Sequence, residues 1–217
     1  MPSFYIPEGF RPALVRIAAM SNADVDDLHK ALATAAPTLK VETIIGHLQS
    51  TLKKDIPDLP EIIHTLSNMN NARVGAEVAV REFAHDISAQ FAARKDKSPG
   101  ADTLERKLIL LLSVETLVIS AKAFDVQHEY EKLFIAARIV TDTRTVFNQA
   151  GTEAVGTMIV HNLNIKYSEG GEFKEVFIAL DDADIAKLRK VLDRAEAKTS
   201  VLEKLIEKTG TPYFDAR

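Results

Sequence analysis

The sequence predicts an α+β chain, with an N-terminal all-α helical domain over residues 1–125 followed by a small antiparallel β-β-β-α module over residues 131–217. Three observations carry this prediction. From Glu8 to about Lys122 apolar residues recur at helical spacing, interrupted where capping and turn residues fall. Around Phe134 the period drops to two, and a glycine pair, Gly170-Gly171, separates two alternating runs. From Ile185 to Ile206 the spacing returns to steps of three and four.

In the helical half, "SNADVDDLHKALATAAP" offers Ser21 or Asn22 as N-cap, acids in the first turn, and Pro37 beyond the end. "VETIIGHLQSTLKK" follows. In "DIPDLPEIIHTL", Pro60 suits the first turn of a new helix. "NARVGAEVAVREFAHDISAQFAARK" places Val80, Phe83, Ala84, Ile87 and Phe91 on one stripe, and "KDKSPGAD" ends it. Another helix starts near Asp102. Short connections predict four to six helices in an antiparallel bundle or orthogonal array.

In the second half, "RIVTDTRTVF" sets Ile139, Thr141, Thr143, Thr145 and Phe147 on one side and is rich in β-branched residues, which makes it a strand. His161, Leu163, Ile165 and Tyr167 alternate with Asn162, Asn164 and Lys166. After the glycines, Val176, Ile178 and Leu180 alternate with Glu175 and Phe177, giving a hairpin. Asp181 or Asp182 can cap the closing helix, and Gly210 with Pro212 ends it. Its candidate interface is the line Ile185, Leu188, Leu192, Ala195, Leu202 and Ile206, with Thr199 as a polar interruption. Such a coiled-coil-like seam runs about 39 Å over about 26 residues, against the 17–20 Å of a typical strand. Half of it therefore reaches beyond its own three strands, to cover the helical half or a second subunit.

This order resembles the COMM-domain family, in which a helical domain precedes three strands and one helix. "RIVTDTRTVF" stands as first strand, "MIVHNLNIKYSEGGEFKEVFIAL" as hairpin and "DDADIAKLRKVLDRAEAKTSVL" as the leucine-patterned helix. The tryptophan common in that family's first strand is missing. The resemblance implies a non-enzymatic protein that dimerises and assembles through its C-terminal module, with the helical half left to bind other proteins.

Bulk properties narrow the classes. A hydrophobic share of 46% with 27% charged residues suits a folded chain of one or two cores. The net charge of −4 gives no general electrostatic reason to seek nucleic acid or an anionic membrane. With no cysteine there is no disulfide, thiolate nucleophile or Cys-based zinc site. The longest apolar stretch, Leu108 to Ser120, contains Glu115 and falls short of the roughly 20 residues of a membrane span. The first 20 residues have no basic region leading into an unbroken apolar run, which predicts a cytoplasmic protein.

Several motifs invite chemistry and fail on geometry. Glu61-Ile-Ile-His64 and Glu82-Phe-Ala-His85 match the Glu-x-x-His element of di-iron bundles, yet Glu82 and His85 lie about 150° from the centre of the apolar stripe. Glu61 and His64 likewise oppose Ile62, Ile63, Leu66 and Met69. "GTEAVGTM" has phosphate-loop glycines but Thr157 in place of lysine, and it leads into a strand, which predicts a loop between strands. His161 falls within the sheet as a structural histidine. The basic pieces Lys53-Lys54 and Arg94 to Lys97 lack interleaved aromatics and read as solvated helix ends. No catalytic, cofactor-binding or metal-binding residue is therefore assigned. The leading expectation is a self-associating adaptor. The alternatives are a helical nucleic-acid-binding regulator, with the Arg73 to Arg94 helix as its recognition element, and an enzyme whose site is assembled from separated residues of the helical half.

Because both Glu-x-x-His pairs face outward, prolonged chelation should leave the melting temperature unchanged. A rise of several degrees on adding a divalent ion, lost in His64→Ala or His85→Ala, would overturn that expectation.

Overall fold

The computed structural model describes residues 4–93 and 101–214. The fold is α+β: helices dominate the first part, then a three-stranded antiparallel sheet is followed by one long helix. The chain divides into two compact units, one running to Gln127 and the other His128–Tyr213.

After a 3-10 turn at Glu8–Phe10 come α1 (Arg11–Ala19), α2 (Asn22–Thr34), α3 (Val41–Thr51), α4 (Leu59–Gly75), α5 (Val80–Ala93), α6 (Ala101–Leu112) and α7 (Glu115–His128). Ser21 caps α2 by accepting from the Asp24 N–H at 3.1 Å. Before the sheet, seven α-helices among the described residues exceed the four to six expected there, and the extra breaks have identifiable causes. Neither Pro nor Gly separates α6 from α7. Instead the Val114 N–H turns back to the Leu111 carbonyl, and the Val114 side chain is driven into the core.

The single helix expected over Arg73 to Arg94 is corrected to two. α4 ends at Gly75, Glu77 takes a left-handed conformation (φ 54°), and α5 begins at Val80. Arg73 holds this turn together by donating to the Asn70 Oδ1 and to the Val78 carbonyl, which takes it out of any basic face. The expected break at "KDKSPGAD" and the basic piece Arg94 to Lys97 lie mostly or wholly outside the described residues.

α6 organises the helical unit, packing against α1, α2, α4 and α5. Leu104, Leu108, Leu111 and Leu112 are all fully buried. Lys107 on the same helix is buried too, and its Nζ donates to the Ala18 and Met20 carbonyls at 2.6 and 2.7 Å, at the C-terminal end of α1. That end collects negative dipole, which suits a cation, while burial pulls the lysine below its ordinary pKa. Of the stripe on α5, Phe83, Ala84, Ile87 and Phe91 are buried and Val80 is half-buried. Phe83 meets Phe4 edge-on, with ring centroids 4.7 Å apart.

The second unit is a meander, β1 (Lys132–Phe147), β2 (Ala154–Glu169) and β3 (Glu172–Leu180), in the order β1-β2-β3, followed by α8 (Asp182–Thr209). Gly170 and Gly171 both take positive φ (60° and 84°), as a two-residue hairpin turn requires. "GTEAVGTM" is only partly the expected loop, because β2 already begins at Ala154 and Gly156 pairs with Val146.

Phe83→Ala should destabilise the helical unit by about 3–5 kcal/mol in a urea titration, whereas exposed Glu82→Ala should change stability by less than about 0.5 kcal/mol. Equal effects would contradict the assignment of the buried face.

Candidate assembly interface

Directly paired strand residues share a face of the sheet. One face carries the rows Ala137, Ile165 and Val176; Ile139, Leu163 and Ile178; and Thr141, His161 and Leu180. The other carries Ala136, Lys166 and Glu175; Arg138, Asn164 and Phe177; and Val140, Asn162 and Ala179. The first is largely aliphatic and the second mixed. Ile139, Val176 and Ile178 on the first face, and Val140 and Phe177 on the second, are exposed.

Burial in this unit is slight. Among its described residues only Asn164 is buried, at 2% exposure. Its Nδ2 donates to the Glu175 Oε2 at 2.9 Å, and Lys166 holds the other oxygen of Glu175 at 3.1 Å. The buried Oδ1 atoms of Asn162 and Asn164 have no hydrogen-bond partner among the described residues.

The start of α8 is held firmly. Asp181 accepts from the Asp184 N–H at 2.8 Å while Asp184 accepts from the Asp181 N–H, a reciprocal capping box. His161 links this start to the sheet, with Nδ1 2.8 Å from the Thr141 Oγ1 and Nε2 3.1 Å from the Asp182 Oδ1. A carboxylate only accepts, so Nε2 donates to Asp182, while the Thr141 hydroxyl, which can donate or accept, pairs with Nδ1. At the other end of the helix Gly210 takes the left-handed conformation (φ 68°).

No residue of α8 is buried. Along the expected seam Leu188, Leu192 and Leu202 are 41%, 64% and 56% exposed, Ala195 is exposed, and Ile185, Thr199 and Ile206 are half-buried. All these residues share one helix line, and the three strands of their own unit do not cover it. The sequence reading missed Val191 and Leu205, both exposed beside the seam. Their signal was present, since each lies one position before a seam residue and broadens the apolar stripe.

The decoys stay apart from any site. His64 reaches toward Glu42 at 3.7 Å and His85 toward Glu105 at 3.1 Å, each an exposed pair. No group of three or more potential metal ligands forms among the described residues. Lys54 is committed to Asp24 at 2.9 Å, in a cleft also lined by Asp27, Lys30 and Thr34. No helix of the described chain is long and apolar enough to cross a membrane. No protein-family model matches the chain, and no curated protein matches it in sequence.

Near the hairpin, Glu169 is gripped by Lys174 at 2.5 Å and Lys132 at 3.3 Å, across all three strands. The Lys174 hydrogen bond, aided by Lys132 against the cost of desolvation, holds the Glu169 carboxyl below its ordinary 4.5. A depressed folded-state pKa stabilises the fold above the unfolded value and loses that contribution as pH falls through the folded one. The stability advantage of the natural chain over Glu169→Gln should therefore be present at about pH 6 and shrink at about pH 3.5, in urea titrations. An advantage independent of pH would exclude the ion pairs as its source.

Proposed function

We propose that the chain is a non-enzymatic protein-binding protein of the cytoplasm. It associates with a second copy of itself through the β-β-β-α module and leaves the helical domain to bind other partners. One observation carries the reading: residues 128–213 build an extended sheet and a long helix, yet bury only Asn164. Burying one large aliphatic or aromatic side chain is worth about 1.5–3 kcal/mol, so Ile139, Ile178, Leu188, Leu192 and Leu202 together leave a large stabilisation unrealised. Three strands without a covered face are marginal in water. A second copy offers the same surfaces and buries both sets at once, through a self-complementary two-fold contact. The COMM-domain resemblance implies the same division of labour between the two halves.

The test is sedimentation together with circular dichroism on the full chain. A dimer is expected at micromolar concentration. Leu192→Asp, which forces a carboxylate into the buried seam, should weaken it more than a hundredfold, for a cost of about 3 kcal/mol, with the helical signal retained. Lys190→Asp on the same helix should change association by less than about 0.5 kcal/mol. A natural chain that stays monomeric over the accessible range would sink self-association.

A further inference from the structure

Self-association through α8 leaves open which way the two helices run, and their side chains distinguish the two directions. With Ile185, Leu192, Thr199 and Ile206 at the a positions of a heptad, Leu188, Ala195, Leu202 and Thr209 fall at d. Three of the four a residues are β-branched and two of the four d residues are leucine, the distribution that, in a parallel coil, favours two strands over three or four. In a parallel pair each g residue meets the next e residue of the other helix. Asp184 then faces Arg189 of the second copy, Lys198 faces Glu203, and Val191 faces Glu196. By symmetry there are four opposite-charge contacts and no like-charge contact. The antiparallel pair that sets Leu188 opposite Ile206 and Leu192 opposite Leu202 keeps Arg189 near Glu203 and Val191 near Leu205. At its two-fold axis, however, it sets Glu196 against Glu196 and Lys198 against Lys198.

The sheet supplies a second, independent argument. It joins α8 directly at its N-terminus, since β3 ends at Leu180 and the helix begins at Asp182. The capping box and the contact between His161 and Asp182 fix that junction. A helix of 28 residues is about 42 Å long. Antiparallel pairing would separate the two sheets by about that length, and the exposed Ile139, Val176 and Ile178 of each would stay in water. Parallel pairing brings both sheets to the same end, where the apolar faces can stack across the axis that relates the helices.

We infer that α8 pairs with α8 of a second copy in parallel and in register, as a two-stranded coil whose Lys198–Glu203 and Asp184–Arg189 contacts set its direction. The inference rests on the self-association proposed above.

The absence of cysteine makes direction measurable, because any introduced thiol is the only one in the chain. Leu188→Cys and Leu202→Cys, each alone in the full chain, should cross-link to themselves under mild oxidation or with a short bis-maleimide. In the antiparallel register Cys-bearing sites at 188 would lie about 27 Å apart and those at 202 about 15 Å apart, too far for either linkage. Lys198→Glu should weaken the dimer about tenfold, because two attractive contacts become repulsive. Mixing it with a Glu203→Lys chain should restore affinity, since both contacts then pair opposite charges. If the chain is a dimer but neither thiol links to itself and Lys198→Glu leaves affinity unchanged, the parallel direction is wrong while self-association stands. A monomeric natural chain overturns both.

Discussion

An apolar side chain left in water forgoes about 1.5–3 kcal/mol, and the two units of this chain stand on opposite sides of that constraint. The helical unit satisfies it internally. Leu14, Ile17, Leu28, Leu32, Ile44, Leu48, Ile62, Ile63 and Leu66 are fully or almost fully buried around the leucines of α6. The second unit does not. It presents Ile139, Ile178, Leu188, Leu192 and Leu202 on regular, well-capped elements whose apolar faces the unit by itself leaves open. Sheets and helices of that length are ordinarily stabilised by the face they bury, so the unsatisfied surface governs both the stability and the use of this module.

The polar groups of the second unit fit the same account. The capping box at Asp181 and Asp184, the His161 link to Thr141 and Asp182, and the grip of Lys132 and Lys174 on Glu169 lie at element ends or across strands, and none needs an apolar core. They set the direction in which α8 leaves the sheet and the register of the hairpin. Exposed ion pairs of this kind contribute little net free energy, so their value here is geometric, in presenting a defined surface. In the helical unit a polar group does a different task. Lys107 donates to the Ala18 and Met20 carbonyls from a buried position and so gives two acceptors at the end of α1 a partner on α6.

Much of this was legible from local patterns. Alternation over Ile139 to Phe147 and across Gly170-Gly171 marked the strands, because side chains on a pleated strand point to opposite faces and a two-residue turn needs positive φ. Ser21, Asp181 and Gly210 marked helix ends, because capping is a contact between near neighbours in sequence. The seam from Ile185 to Ile206 was readable because its spacing is a property of one helix. The outward direction of Glu82 and His85 followed from the same helical geometry.

What the amino-acid sequence by itself determined is the α+β class, the strands, the caps and the apolar line of α8, all of which depend on interactions within a few residues or on a fixed period. Only the tertiary structure decided the rest. The separation of α6 from α7 at Val114 and of α4 from α5 at Glu77 depends on which side chain finds a core and on Arg73 reaching back to Asn70 and Val78. The burial of Lys107 depends on α1 ending beside α6. The openness of α8 within its own unit is tertiary as well, because a seam has the same spacing whether the neighbouring strands cover it or leave it bare.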